Sequence, residues 1–274
     1  MISTGYDELV ADAMAAPAAG WDFGWLSGRA QGSDPSWSYP ESARAHIAAA
    51  ERLLDVDTGG GELLASLQPL PRHTWATEGW PPNIAVARGR LEPLGVTVVP
   101  APDRETLPLE DRSVDIVLNR HGRLAAHEVR RVLRPGGSLL TQQVGSDDCA
   151  ELNEALGAPP SHPPGSWNLN AAGEALTRAD LALTRGEEEH PVLTFYDIGA
   201  VVYHLRMVSW QIPDFSPERY DSALRRLHRH MCSEGRFDVR AHRFLITAER
   251  PDAGALGNSG AVRRAAGHDG DHDR

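Results

Sequence analysis

The chain has 274 residues, a formal net charge of −11 and no apolar run near the ~20 residues that a membrane span requires. Its 27 Lys-plus-Arg residues are all arginines, which excludes Schiff-base catalysis and a lysine-containing phosphate loop. The acidic balance disfavours a nucleic-acid substrate, because the chain would repel a phosphate backbone. The first residues lack the basic-then-apolar pattern of a secretory signal, so we expect a cytoplasmic protein.

Cysteine usage gives no sign of a cross-linked or metal-bound fold. Cys149 and Cys232 are far apart in the chain. We therefore expect neither a disulfide framework nor a metal site. The length fits one large α/β domain with a modest accessory region, which is enough to bury a full core.

The first forty residues are rich in Gly, Pro and aromatic side chains but have no clean period. We predict a mostly irregular aromatic cap over residues 1–40. The next segment, PESARAHIAAAERLL, has apolar residues at helical spacing and predicts a helix that leads into a strand at LLDVD. After that strand, TGGGELLASL predicts a tight turn and a second helix.

Strand and helix patterns alternate through the rest of residues 41–150. The predicted strands are HTWATEG, VTVVPAP, SVDIVLN and SLLTQQV, and the predicted helices are PPNIAVARGRLEPLG and RLAAHEVRRVL. This alternation favours a Rossmann-like α/β fold with a doubly wound, mainly parallel sheet. Ligands of such sheets bind at the carboxyl ends of the strands, where we therefore expect the site.

The pattern loosens over residues 151–250, which we assign to the remainder of the core. AAGEALTRADLAL predicts a helix, and FDVRAHRFLITAE predicts a closing strand. The helical section between them, about residues 197–236, is predicted to form a substrate lid. Residues 251–274 have no pattern that could bury a core, and we expect a disordered tail.

The sharpest motif is the turn DVDTGGGE, residues 55–62, which lies between an apolar strand and a helix. Glycines allow close approach of the backbone to a ligand, and a helix amino end offers unpaired N–H groups. A tight turn without a ligand is the alternative, which three adjacent glycines disfavour. NAD is also disfavoured, because Leu64 stands where the dinucleotide fingerprint needs its last glycine.

The turn resembles the acid-x-Gly-x-Gly-x-Gly motif of class I S-adenosylmethionine-dependent methyltransferases, here of the small-molecule type, with Asp55 as the leading acid. DRETLPL resembles the family's D-A-E-x-L-P-F segment, SVDIVLNRH its fourth strand and VLRPGGSLL its turn into the fifth. The resemblance implies S-adenosylmethionine as cofactor, with Glu78 on the ribose hydroxyls, Trp80 on the adenine ring and Asp103 on the adenine amino group. The cofactor-binding residues that it implies are Asp55, Asp57, Thr58, Gly59, Gly61, Glu78, Gly79, Trp80, Asp103, Arg104 and Asn119.

One position departs from the family pattern. Asp57 replaces the first motif glycine, which puts a Cβ atom and a charge where the methionine part of the cofactor would lie. Either Asp57 turns aside and hydrogen-bonds the cofactor ammonium, or the site has lost the cofactor.

Catalytic candidates follow the fourth and fifth predicted strands. Methyl transfer needs mainly a well-placed nucleophile and sometimes a base. His121 is the candidate base, because imidazole titrates near neutral pH. The alternative is that His121 only packs or hydrogen-bonds beside the cofactor.

Aromatic and amide side chains supply the substrate-binding candidates. Tyr203 and Trp210 share one helical face with Met207, a pattern that core packing also produces. Loop tryptophans could line an apolar or cationic acceptor site or merely anchor the loop. The predicted substrate-binding residues are Trp25, Trp37, Gln143, Tyr203 and Trp210.

Three functions compete at this point. The first is methyl transfer to a small molecule, for which the resemblance alone suggests secondary metabolism. The second is a methyltransferase-like scaffold that has lost methyl transfer and serves as a partner subunit or supports another reaction, motivated by Asp57. The third is an RNA methyltransferase, which the acidic charge disfavours. We expect no nucleic-acid or membrane partner, and a homodimer or a heteromeric partner remains open.

Overall fold

The computed structural model describes residues 5–17, 23–103 and 105–252. The helices of this part are α1 Tyr6–Ala15, α2 Tyr39–Ile47, α3 Glu62–Ser66, α4 Pro81–Leu91, α5 Ala126–Val132, α6 Ala150–Leu156, α7 Leu169–Arg178, α8 Ile198–Met207 and α9 Asp221–Glu234. The strands are β1 Ala30–Gly32, β2 Arg52–Val56, β3 His73–Glu78, β4 Val96–Pro100, β5 Val114–Arg120, β6 Leu133–Val144, β7 Ala182–Glu189, β8 Val192–Phe195, β9 Phe237–Arg240 and β10 Arg243–Glu249.

Seven strands form the main sheet in the order β4-β3-β2-β5-β6-β10-β7. The five strands from β2 to β6 pair in parallel, whereas β10 runs antiparallel to both of its neighbours. The strand order reverses at β2, which pairs with β3 on one side and β5 on the other. The predicted Rossmann-like, doubly wound and mainly parallel sheet is confirmed, and its switch point is the crevice beside β2 and β5.

Helices cover both faces of this sheet because its central strands are apolar on both sides. Leu53, Leu118 and Leu140 pack beneath α2, α3 and α4. Their sequence neighbours Leu54 and Leu139 point to the opposite face, where they pack beneath α5 and α7. The alternation fixes which strand-end residues face which helix layer at the crevice.

A second core lies outside the two sheet faces. It contains buried residues of α1, α6, α8 and α9, and α1 and α8 pack directly against each other. The three-stranded sheet β1-β8-β9 lies beside it. The section predicted as a lid therefore has a hydrophobic core of its own, while its role as a lid stays a prediction.

The prediction of a mostly irregular N-terminal cap was wrong for α1. Tyr6, Leu9 and Ala13 lie at positions i, i+3 and i+7 and are buried, which is a short helical stripe. The aromatic-rich residues that follow obscure this stripe in the sequence. Trp21 and the rest of residues 18–22 lie outside the described residues, as do residues 253–274 of the predicted disordered tail.

The C-terminal half contains two further corrections. The predicted single strand FDVRAHRFLITAE is two strands in different sheets, because the amides of Ala241 and His242 bond to the Pro191 carbonyl and the Asp148 carboxylate and break the ladder. The end of the predicted helix AAGEALTRADLAL belongs to β7, since α7 stops before Asp180, which has a φ of 58°. Helices that are long and apolar enough to cross a membrane do not occur in the described ranges.

Candidate active site

The glycine turn leaves the carboxyl end of β2 and is held against β3. The Thr58 amide donates to the Thr77 carbonyl at 2.8 Å. Gly59 and Gly61 have φ values of 63° and 80°, which favour glycine. A Cβ atom on Gly61 would lie 2.7 Å from the Leu91 side chain. The turn thus favours glycine at position 59 and requires it at position 61.

Asp57 occupies the left-handed region with a φ of 56°. Its Oδ2 accepts a hydrogen bond from the Arg123 amide at 3.0 Å. The Asp57 Cβ packs closely against Gly122, and a Cβ atom added to Gly122 would lie 2.7 Å from it. The side chain therefore lies against the loop that follows β5, in keeping with the interpretation that it turns aside. A hydrogen bond from the cofactor ammonium to Asp57 stays a prediction.

Asp55 is a buried carboxyl group beneath the turn, with 7% of its surface exposed. Burial raises its pKa to about 7, the Thr58 hydroxyl opposes that shift, and the nearby charges of Asp57 and Glu78 add to it. The group therefore changes charge in the neutral range, which is unusual for an aspartate.

Two more acidic residues follow the neighbouring strands. Oε1 of buried Glu78, at the end of β3, accepts from the Trp80 amide at 2.7 Å, while Oε2 takes no hydrogen bond from a described residue. Asp103, just beyond β4, accepts from the Glu105 amide at 2.9 Å and from the Thr106 hydroxyl at 3.1 Å. The Trp80 ring is half exposed. Hydrogen bonds from the following residues thus hold both carboxylates, and the predicted contacts of Glu78 with the ribose and of Asp103 with the adenine stay predictions.

A small cavity of about 10 Å³ lies between the turn and the Asp103 loop. Arg123 lines it and forms an ion pair with Glu105. This volume holds about one water molecule, which is too little for an adenine ring. Arg104, predicted as a cofactor contact, lies outside the described residues. Gly79 is partly exposed between Glu78 and Trp80.

Asn119 and Gln143 form a buried hydrogen-bond network at the ends of β5 and β6. Gln143 Nε2 donates to Asn119 Oδ1 at 2.7 Å, and the Thr141 hydroxyl lies 3.3 Å from the same oxygen. Asn119 Nδ2 donates to the Arg123 carbonyl at 3.0 Å. The network fixes the loop after β5. The predicted ligand contacts of Asn119 and Gln143 remain predictions.

Trp37, Gln142 and His121 form a second chain of hydrogen bonds. Trp37 Nε1 donates to Gln142 Oε1 at 2.8 Å, and Gln142 Nε2 lies 3.0 Å from His121 Nε2. An indole N–H can only donate, so the amide oxygen of Gln142 faces Trp37 and its NH₂ group faces the imidazole. His121 Nε2 must therefore accept, and the neutral ring carries its proton on Nδ1.

The surroundings of His121 also favour the neutral ring. Desolvation lowers its pKa well below the usual value, and the charges of Arg120 and Arg243 act in the same direction. The residue is nevertheless exposed, as expected for a side chain at the mouth of a crevice with protein on most sides. Protonation of His121 at Nε2 would also place its N–H against the NH₂ group of Gln142, so that two donors would face each other. His121 as a base stays a prediction.

The other predicted substrate-binding residues lie in two places. Trp25 stacks on Tyr203 at 4.8 Å between ring centroids, and the Tyr203 hydroxyl donates to the Pro17 carbonyl at 2.8 Å. Tyr203 is 1% exposed and belongs to the second core, the packing arrangement that its helical spacing left open. Trp210 is 44% exposed and lines a different cavity.

That second cavity is much larger, with a volume of about 250 Å³. It adjoins the carboxyl end of β6 at Val144 and Gly145, and Trp167, Trp210 and Asp148 contribute to its wall. Trp167 was not predicted as a site residue, because nothing in the sequence around it distinguishes it from a core residue. The cavity has the size and aromatic lining of a small-molecule site.

A sequence profile described as "Methyltransferase domain" matches residues 54–141, from β2 through most of β6. Over these residues, about a third of the chain, the protein is similar to the methyltransferase-domain family. The matched stretch contains the glycine turn, Glu78, Asp103 and His121. The match supports the predicted resemblance to class I S-adenosylmethionine-dependent methyltransferases for the part of the chain that builds the switch point.

Solved structures agree on the fold. A candidate methyltransferase of Bacillus halodurans C-125 is 21% identical with a TM-score of 0.54, covering 77% of this chain and 98% of its own. The YcgJ protein of Bacillus subtilis is 17% identical with a TM-score of 0.54, covering 78% of this chain and 98% of its own. At these identities the likeness shows the shared fold.

One curated relative is similar over a short stretch. A 23S rRNA (guanine(748)-N(1))-methyltransferase of Streptomyces fradiae is 45% identical over 53 residues, which is 19% of this chain and 19% of the relative. The chain thus matches about a fifth of that protein's length.

Proposed function

We propose that this protein transfers a methyl group from S-adenosylmethionine to a small-molecule acceptor. The observation that carries the proposal is the glycine turn with Glu78 and Asp103 at the ends of the adjoining strands β3 and β4. These residues suit S-adenosylmethionine chemically. Glu78 keeps one carboxylate oxygen without a hydrogen bond from a described residue, and the Asp57 side chain lies against residues 122–123. Glu78 would hold the ribose, Asp103 the adenine, and the turn the methionine part.

When bound, the cofactor supplies an electrophilic methyl group on a sulfonium. The protein's part is to hold the acceptor in line with that group and to exclude water. His121 and Gln142 lie at the ends of β5 and β6, next to the switch point. We propose that neutral His121 orients the acceptor through its Nδ1–H and that Trp37 and Gln142 hold the ring in that tautomer.

The acceptor site proposed here is the cavity of about 250 Å³ beside β6. Trp167 and Trp210 would cover an apolar or aromatic acceptor, and Asp148 and Asn153 supply polar contacts. The net charge of −11 supports a small molecule over a nucleic acid.

The 53-residue match to an rRNA methyltransferase favours RNA as a second candidate acceptor. The scaffold that has lost methyl transfer, by contrast, has less to support it. That alternative was based on the charge of Asp57 at the place expected for the methionine part of the cofactor. The Asp57 carboxylate instead accepts a hydrogen bond from the loop after β5.

The test has two stages. Calorimetry with S-adenosylmethionine and S-adenosylhomocysteine should detect binding, and absence of binding to both would refute the proposal. Transfer of tritium from methyl-labelled cofactor is then followed into small-molecule extract and into unmodified ribosomal RNA in parallel. Label only in the small-molecule fraction supports the main proposal, and label in RNA would replace it with the second.

A further inference from the structure

The cavity of about 250 Å³ beside β6 has two indole rings and one carboxylate in its wall, those of Trp167, Trp210 and Asp148. His162 is the other titratable side chain that lines it, and no arginine of the described part of the chain does so. Indole rings attract cations through their π electrons, and a carboxylate attracts them through its charge. The wall therefore favours a positively charged ligand over an anion.

Asp148 forms an ion pair with Arg243, and this pair has a direction relative to the cavity. Oδ1 of Asp148 accepts hydrogen bonds from Arg243 Nη1 and from the His242 amide. Asp148 lines the cavity, whereas Arg243 does not. The Asp148 side chain is 12% exposed, so little water screens its charge. The carboxylate is therefore the end of the ion pair that a ligand in the cavity meets.

Hydrogen bonds hold the backbone of all three wall residues in place. The Ser146 amide donates to the Trp167 carbonyl at 2.8 Å. Gln211, which follows Trp210 in the chain, donates through Nε2 to the Asp148 carbonyl at 3.0 Å. The wall is thus assembled before a ligand arrives, which lowers the cost of binding. The Trp210 ring nevertheless stays 44% exposed, so it presents apolar surface that a ligand can cover.

We propose that this cavity selects an acceptor whose apolar body carries a positively charged nitrogen, that is, an organic amine in its ammonium form. Trp167 and Trp210 contact the cation and its apolar body, and Asp148 supplies the opposite charge. Indole is the aromatic side chain that binds cations best. The inference rests on the proposed function, since it narrows the class of acceptor assigned to this cavity.

Three probes of nearly equal size and different charge test the proposal. Fluorine NMR follows the binding of 4-fluorobenzylamine, 4-fluorobenzyl alcohol and 4-fluorobenzoate at neutral pH, where the amine is a cation. We expect the wild type to bind the amine about 3- to 30-fold more tightly than the alcohol, the range of cation–π interactions, and to bind the benzoate more weakly than both. The titrations are made with and without S-adenosylhomocysteine.

Variants of the wall show whether the preference comes from this cavity. Trp210→Leu keeps an apolar side chain but removes the π electrons, and it should lower the preference for amine over alcohol about 3- to 10-fold, while Trp210→Phe retains part of it. Phe23→Leu is the matched control, because Phe23 is also an exposed aromatic residue but does not line the cavity. Asp148→Asn should lower the same preference, and thermal unfolding shows whether the loss of its ion pair with Arg243 affects the fold.

The proposal is overturned if the wild type does not bind the amine, binds the alcohol or the benzoate as tightly, or keeps its preference for the amine in Trp210→Leu. Equal weakening of amine and alcohol in that variant would assign Trp210 to packing alone and would also overturn it. Failure of the wild type to bind S-adenosylhomocysteine refutes the proposed function instead. The titrations without that ligand then still decide whether the cavity binds a cation.

Discussion

The two sides of the crevice are built differently. On the side of β2, β3 and β4, the glycine turn, Glu78 and Asp103 each stand in a short continuous motif, and the cavity there holds only about 10 Å³. On the side of β5, β6 and β10, the polar groups come from distant segments, as Trp37 and Gln142 show, and a cavity of about 250 Å³ adjoins the end of β6. The first side is specified locally, and the second depends on the assembled fold. Under the proposed function, acceptor specificity can therefore change without disturbing the contacts proposed for the nucleoside.

The largest effect is expected at Glu78, on the locally specified side. Glu78→Gln keeps the acceptor for the Trp80 amide but removes the charge that would bind the ribose hydroxyls. We expect S-adenosylhomocysteine to bind about 10- to 100-fold more weakly, because hydrogen bonds to charged groups contribute about 1.5–3 kcal/mol. Calorimetry measures the change, with exposed Glu110→Gln as the control. Equal affinity in wild type and variant would remove Glu78 from the site.

Asp55 should make cofactor binding depend on pH. Its pKa of about 7 in the free protein means that the carboxyl is largely protonated below neutrality. A ligand with a positive ammonium favours the carboxylate, so binding should release up to one proton near pH 6. Affinity should fall by up to about tenfold per pH unit below 7 and level off above it.

Calorimetry in two buffers of different ionisation enthalpy counts the released proton, and Asp55→Asn should abolish the release. Stability gives an independent check of sign. Because the folded-state pKa is raised above the unfolded value, the folded state binds more protons between about pH 4 and 7, and the free energy of unfolding should fall across that range. A wild type whose stability rises with pH in parallel with Asp55→Asn would contradict the assignment.

A substitution at Gly122 tests the contact between Asp57, which follows β2, and the loop that follows β5. A methyl group at this position would meet the Asp57 Cβ at 2.7 Å, so Gly122→Ala should destabilise the protein by about 1–3 kcal/mol. Thermal unfolding should show a lower Tm. In the double variant with Asp57→Gly the methyl group has room, and the two losses should not add. Additive losses would show that the contact between residues 57 and 122 is not the cause.

The smallest effect is expected on the assembled side, at Trp37. Trp37→Phe keeps an aromatic ring in the core but removes the N–H that orients Gln142. Nitrogen NMR of the imidazole should show the Nδ1–H tautomer of His121 in the wild type and a mixture in the variant. A wild-type ring protonated on Nε2 would contradict the orientation of Gln142 and its proposed role.

The positions of the glycine turn, Glu78 and Asp103 were predictable because strand, turn and acid follow one another within a few residues. Glu78 ends one apolar strand and Asp103 follows another, and parallel strands end at one edge of the sheet. The sequence could not show that Asp57 bonds to the Arg123 amide, since the partners are 66 residues apart.

The assembled side was less predictable for physical reasons. A helical period of 3.6 marks one face of α8 but does not tell a core from a pocket, and Tyr203 proved to be core. The ion pair of Arg243 with Asp148 could not be predicted, because the chain around Ala241 was predicted as one continuous strand.

The contact of Asp57 with Gly122 also bears on how related sequences can diverge. An aspartate at position 57 uses the space that any side chain at position 122 would need. Homologues with glycine at 57 are free of this restriction, whereas those with aspartate must keep glycine at 122. The two positions should therefore change together during evolution, and their joint state would mark a distinct branch of the family.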